Sequence, residues 1–209
     1  MIIKPLCLGM YGTYGERNYN YIKDTMEAIR QKFDGLGNKA LSLRGKYDSK
    51  IGIFPCRTFN LAKQSCSVPH TDHNNLAQGW CSITALGDFN PTLGGHLVLW
   101  DLGIVVEFPP NSTILIPSSL IIHSNTPIQP EEARYSIVQY SAGHLFRWAK
   151  NGFQTNKEWM EEAKPQDIEQ WEKEKKGRWQ SAVTSFTTLE ELQKTDERLK
   201  AKLGNKKMP

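Results

Sequence analysis

Residues 64–133 contain neither lysine nor arginine, although the whole chain carries 26 of them. A third of a chain without a cation is not a solvated helical surface. It reads as buried strand core that could hold a cation. No apolar run reaches the ~18 residues of a membrane-crossing helix, so no membrane-spanning segment is expected. CxxC pairs are absent as well. Cys7, Cys56, Cys66 and Cys81 stand apart, which argues against structural zinc and for free thiols in a reducing compartment. The first residues lack the charged lead, long apolar stretch and small-residue cleavage site of a secretory signal. An intracellular protein of nucleus or cytoplasm is therefore expected, rather than a secreted one. Hydrophobic residues make up 39% and charged residues 23%, which excludes disorder and low complexity for most of the chain.

The chain has 209 residues, enough for one domain or one domain with a tail. Its net charge of +4 is unevenly placed. Residues 1–63 hold 11 Lys/Arg against 5 Asp/Glu, a basic flank able to face a polyanion. Residues 9–24 are rich in Gly, Tyr and Asn and read as irregular. A helix follows over 22–34, with Ile22, Met26, Ile29 and Phe33 at helical spacing and Gly35 and Gly37 as stops. Short strand candidates then succeed one another at 51–54, 58–62, 65–68, 81–85, 96–100, 104–108, 113–116, 120–123 and 135–141. Gly, Pro and Asn clusters punctuate them. Such a series predicts a β-sandwich or barrel, a jelly roll being one form. Residues 154–209 change character, with 23 charged residues in 56. They predict amphipathic helices: Trp159, Ile168 and Trp171 make one apolar face. Leu189, Leu192 and Leu199 make another, entered through a Thr188–Glu191 capping box. The expected organisation is α+β, mainly β: a domain over 1–153 with its core at 51–148, and a helical extension over 154–209.

Pro69-His70-Thr71-Asp72 is the sharpest local signal. In extended chain, residues i and i+2 point to the same face, so His70 and Asp72 can aim an imidazole and a carboxylate at one point. His123, closing an apolar strand, is the natural third donor. Two histidines and a carboxylate on one side of an octahedral iron leave three positions open. An edge histidine satisfied by its own neighbours is the alternative for His123. His73, His96 and His144 compete for the role from blander positions. Arg134 is the first basic residue after Lys63 and opens a strand of the core sheet. A lone buried guanidinium demands an anion, and its fork suits a carboxylate. Ser136, two residues on, shares its face and can offer a hydroxyl to the same anion. The alternative is a strand-edge pair between Arg134 and Glu131 or Glu132.

This order of parts, HxD, a distal His and an Arg-x-Ser, resembles the Fe(II)- and 2-oxoglutarate-dependent dioxygenases over about residues 51–148. Further text looks like one branch: Leu86-Gly-Asp-Phe, Gly94-Gly95-His-Leu, Phe108-Pro-Pro-Asn-Ser-Thr-Ile-Leu-Ile-Pro and His123-Ser-Asn. It is similar to the TET/JBP-type nucleic-acid-base oxygenases, especially compact fungal members. The His-Ser-Asn ending and the short gap from His123 to Arg134 differ from the animal and trypanosome branches. The resemblance implies a double-stranded β-helix (jelly roll) core with an N-terminal helix and C-terminal helices. It also implies Fe(II) held by His70, Asp72 and His123, and 2-oxoglutarate held at its far carboxylate by Arg134 with Ser136. Dioxygen is the implied second co-substrate. Asn60 is implied as a further co-substrate contact, against the plainer role of a strand or turn amide.

Three functions follow as expectations. The first is oxidation of a modified nucleic-acid base such as 5-methylcytosine, in DNA rather than RNA. The basic flank with Lys39, Arg44, Lys46 and Lys50 would meet phosphates, and Tyr11, Tyr14, Tyr19 and Tyr21 would stack a base. The second is the same oxygenase chemistry on a protein side chain or small molecule. The third is a cupin-like metal-binding module without turnover, which would have no use for Arg134.

Overall fold

The computed structural model describes residues 3–35 and 52–204. Two helices come first, α1 (Ile3–Tyr14) and α2 (Glu16–Gly35). They meet at Gly15, where any Cβ would press into the Tyr11 ring at 2.9 Å. Residues 9–24, expected from their glycines and asparagines to be irregular, are thus helical. The reason is tertiary. Tyr11 is fully buried, stacks on Trp80 at 5.1 Å between ring centroids, and meets Tyr19 edge-on at 6.0 Å. Packing of this kind outweighs weak local helix propensity. The apolar stripe of α2 is the one its spacing predicts: Ile22, Met26 and Ile29 are buried, and Phe33 packs beside them.

Seven strands follow: β1 (Cys56–Asn60), β2 (Cys81–Asp88), β3 (Leu97–Leu99), β4 (Ile104–Val106), β5 (Thr113–Ile116), β6 (His123–Asn125) and β7 (Ala133–Tyr140). They form two antiparallel sheets, ordered β1-β7-β2-β5 and β4-β3-β6. Period-two alternation explains how each sheet is used. Cys81, Ile83 and Ala85 of β2 and Ile116 of β5 enter a core shared with Leu97 and Leu99 of β3. Leu115, one residue out of phase with Ile116, joins the other core, where Tyr11, Ile22 and Phe54 lie. The sheets therefore enclose one core, and the N-terminal helices cover the outer face of the larger sheet. This is the winding of a double-stranded β-helix.

Several strand boundaries moved. No strand forms over 52–54, and Ile51 lies outside the described residues. Residues 65–68 run extended without a strand partnership of their own. The 120–123 strand becomes His123–Asn125, because the amides of Leu120 and Ile121 both turn back to the Pro117 carbonyl. Tyr11 and Tyr19 are committed to packing, and the Tyr14 hydroxyl donates to Asp196, so among the four tyrosines Tyr21 alone is an exposed ring. Lys39, Arg44, Lys46 and Lys50 lie outside the described residues.

Four helices complete the described residues: α3 (Gly143–Lys150), α4 (Asn156–Glu162), α5 (Pro165–Thr184) and α6 (Leu189–Gly204). Trp159 and Trp171 stack at 6.1 Å, as their shared apolar face predicts. The Thr188–Glu191 capping box is formed in both directions. Arg17 of α2 forks onto Glu191 at 2.8 and 3.0 Å, and the Thr187 hydroxyl donates to the Tyr14 carbonyl. Arg17 and then the cap hold the Glu191 carboxyl down at about 2. No helix among the described residues is long and apolar enough to cross a membrane.

Tyr11 also ties helix to sheet, because its hydroxyl accepts the Trp80 backbone N–H at 2.9 Å. Tyr11→Phe keeps the stack but orphans that amide and should cost about 1–3 kcal/mol. Tyr11→Ala should cost about 3–5 kcal/mol through the cavity it leaves. Urea unfolding checks both, and a wild-type midpoint for Tyr11→Phe would remove the hydroxyl from the account.

Candidate metal centre

His70 and Asp72 sit on an extended segment that enters no named strand yet is pinned at both ends. The His70 amide donates to the His123 carbonyl at 3.0 Å, and the His123 amide returns the bond at 2.9 Å. Asp72 donates its amide to the Ser118 carbonyl at 2.9 Å. The alternation expected of extended chain then holds: His70 Nε2 lies 3.5 Å from Asp72 Oδ1. Donor atoms of His70, Asp72 and His123 all fall within 4.8 Å of one another, close enough to share an ion.

The ring orientations suit a metal. His70 Nδ1 is 2.8 Å from the Val68 carbonyl, and His123 Nδ1 is 2.9 Å from the Ile121 carbonyl. A carbonyl only accepts, so each Nδ1 donates, and each Nε2 is the ring atom left to meet a ligand. Asp72 is oriented in the same way, since Asn75 Nδ2 donates to Oδ2 at 3.1 Å and leaves Oδ1 toward His70. The same amide reaches Ser118 Oγ at 3.2 Å. Two imidazoles and one carboxylate make a donor set suited to Fe(II) with open positions. The other histidines are elsewhere: His96 Nε2 bonds the Pro91 carbonyl at 2.7 Å, His144 lies on α3, and His73 is exposed at the rim.

The donors line a cavity of about 640 Å³ whose far wall is β7. Arg134, Ser136, Val138 and Tyr140, two residues apart in sequence, all face it. Arg134 is 3% exposed. One guanidinium nitrogen, Nη1, donates to the Ser65 carbonyl at 3.2 Å, while Nε has no partner. No carboxylate of a described residue pairs with it. Glu132 instead accepts from the amides of Asn90 and Gln129. Burial pulls the Arg134 pKa below its ordinary value, with neighbouring Cys66 opposing, yet a guanidinium stays charged. Gly87, paired with Arg134 in register, has φ of 117°, and a Cβ there would collide with the Ala133 carbonyl. Asn60 lies opposite Ser136 and donates Nδ2 to its Oγ at 2.9 Å. That bond makes Ser136 Oγ an acceptor and frees its proton for the cavity.

No role for Asn75 was read from the sequence, and Asn125 entered only as the end of the His123-Ser-Asn motif. Asn125 Oδ1 takes both the amide and the hydroxyl of Ser67 at 2.9 Å, and its Nδ2 reaches the Ser65 carbonyl at 3.2 Å. It clamps the 65–67 segment, which carries the Arg134 acceptor, to β6. The spacing of Asn75, three residues past Asp72, was the available signal for a local side-chain bridge.

Metal binding to the anaerobic protein, followed calorimetrically with Fe(II), tests the arrangement. His123→Ala should abolish it, and Asn75→Ala should weaken it by about 10–100-fold through loss of the carboxylate's partner. His96→Ala should bind as wild type. Loss of metal by His96→Ala, with His123→Ala unaffected, would move the centre.

No protein-family model matches the sequence, and no curated protein does. Solved structures give partial likenesses. NgTET1 in complex with 5mC DNA aligns with 59% of this chain and 51% of its own, at 18% identity and a TM-score of 0.40. The viral collagen prolyl hydroxylase vCPH from Paramecium Bursaria Chlorella virus-1, in its 2OG complex, aligns with 53% of this chain and 72% of its own, at 13% identity and a TM-score of 0.32. The chain thus spans about half the length of the NgTET1 chain to which it is similar.

Proposed function

We propose that the chain is an Fe(II)- and 2-oxoglutarate-dependent dioxygenase, and that its substrate is a modified nucleic-acid base such as 5-methylcytosine, in DNA rather than RNA. One observation carries this reading. A His-Asp-His donor set and a buried cation with no carboxylate partner among the described residues share a single cavity. A module that only binds metal has no use for that cation.

His70, Asp72 and His123 would hold Fe(II), which when bound supplies the power to activate dioxygen. The remaining work belongs to the chain. Arg134 offers a charged fork to the distal carboxylate of 2-oxoglutarate, and Ser136 adds a hydroxyl donor that Asn60 keeps turned the right way. Ile83, Leu97 and Val138 give the cavity an apolar lining that limits water. The overall reaction inserts one oxygen atom of dioxygen into a substrate C–H bond. The other oxygen enters succinate as 2-oxoglutarate loses CO₂.

The same chemistry on a protein side chain or small molecule is the second reading. Burial of Tyr11 favours it, because that ring is no longer free to stack a base.

Succinate release with Fe(II) and 2-oxoglutarate, run across methylated DNA, RNA and peptides, separates the two. Methylated DNA should stimulate release and yield a hydroxylated base by mass spectrometry. Stimulation by a peptide alone would favour the second reading. Arg134→Lys, which keeps charge but loses the fork, should mainly raise the KM for 2-oxoglutarate. Arg134→Ala should lose about 3–5 kcal/mol of co-substrate binding, a hundredfold or more in affinity. Unchanged anaerobic 2-oxoglutarate binding by Arg134→Ala would defeat the co-substrate assignment.

A further inference from the structure

A second cavity, of about 910 Å³, adjoins the first and shares His73, Asn74 and Asn75 with it. Asn75, which orients the Asp72 carboxylate, stands in the partition between them. One wall is α3. Its His144, Arg147 and Lys150 recur at helical spacing along the cavity, beside Phe146, which lines it from the core. The facing wall is α5, which brings Trp171, Glu174, Arg178 and Trp179.

Charge and aromatic surface are arranged together here. Lys150 is neutralised by Glu174 at 2.6 Å. Arg147 and Arg178 form no salt bridge with any described residue, and Arg178 is held 5.4 Å over the Trp171 ring. Trp179 is 65% exposed, and among the described residues no ring or cation lies over its indole. Asn18 of α2 also lines the groove. It is 1% exposed, and both its amide atoms lack partners. A buried amide left unpaired is unfavourable, and an edge bearing a donor beside an acceptor would satisfy it.

We propose that this groove binds a single-stranded polynucleotide segment and leads it to the metal cavity. Arg147 and Arg178 contact phosphates, and Trp179 stacks on a base. A basic groove with an aromatic platform is the shared chemistry of single-strand recognition. An acidic peptide would answer the cations but not the free indole face. In an intact duplex the base faces are covered by their neighbours. The proposal rests on the nucleic-acid reading of the first cavity, but it concerns a different surface, formed by α3 and α5 rather than by the N-terminal basic flank.

The test is fluorescence anisotropy with the full chain, titrated into fluorescein-labelled oligothymidylate and, in a parallel arm, oligouridylate. The two arms show which sugar the groove prefers. Wild type should bind with an affinity that falls with salt. Replacing both Arg147→Gln and Arg178→Gln should flatten the logarithmic salt slope by about 1.4, at about 0.7 per phosphate contact. Trp179→Ala should weaken binding roughly tenfold, and Trp179→Phe should keep most of it. All three side chains lie on helix surfaces, and far-ultraviolet circular dichroism confirms that each variant is folded. A wild-type slope in the double variant, or wild-type affinity in Trp179→Ala, overturns the proposal. So does displacement of the oligonucleotide by polyglutamate at equal charge concentration, which would make the groove an acidic-protein site. Because binding needs no turnover, His123→Ala should still bind the oligonucleotide. Failure of the oxygenase reading would leave that binding intact. Wild-type succinate release on methylated DNA by the groove variants would sink the groove alone.

Discussion

A guanidinium removed from water, with no counter-charge among the described residues, is the constraint around which this cavity is built. Arg134 comes from the last strand of the larger sheet, between β1 and β2, and its neighbours in sequence for some seventy residues upstream contain no other cation. Isolation of that kind is costly, and an anion arriving from outside would offset the cost. The surrounding backbone makes room for it. Lys63 accepts the Arg134 amide at 2.8 Å, Ser65 accepts one guanidinium nitrogen, and Asn125 holds the Ser65 segment in place. Arginine, hydroxyl and donor set then face each other across a cavity that neither sheet encloses alone.

Amides hold the site together more than charges do. Asn60 turns Ser136, Asn75 turns Asp72, and Asn125 ties the approach segment to β6. An amide can donate and accept without drawing an ion out of place. It can therefore fix a carboxylate or a hydroxyl while leaving the metal-facing or co-substrate-facing atom uncommitted. The two reciprocal backbone hydrogen bonds between His70 and His123 complete the arrangement, because they set two distant parts of the chain in one register.

The parts of this arrangement legible in the sequence were those with a period or a conspicuous absence. His70 and Asp72 share a face because strand alternation is strict, and Arg134 drew attention through the missing cations before it. The α2 stripe, the β5 limits and the Thr188 cap followed from local rules. The N-terminal helices were not legible over residues 9–24, where glycine and asparagine argue locally for loop and only the burial of Tyr11 and Tyr19 decides for helix. The 120–123 strand was misplaced because Leu120 and Ile122 look like core residues but lie exposed in a turn. The roles of Asn75 and Asn125 were invisible because asparagines are common wherever chain turns, and those roles depend on partners remote in sequence. The α3–α5 groove is wholly tertiary, since no window of sequence contains both walls.

Strand β1 pairs with β7, Asn60 lying opposite Ser136, so the first strand of the core waits for the last. Contacts of such long sequence separation close late, after the entropy of the intervening loop has been overcome. On a ribosome, the segment bearing His70 and Asp72 emerges well before its partner strands exist. Until about residue 140 has been made, the chain can hold His70, Asp72 and even His123 in solution without a wall behind them. Closure of β7 brings in Arg134 and Ser136 together with the sheet that shields the donors. The wall behind the donor cluster and the buried Arg134–Ser136 face are thus laid down by the same strand, so the cavity's two ends are completed together.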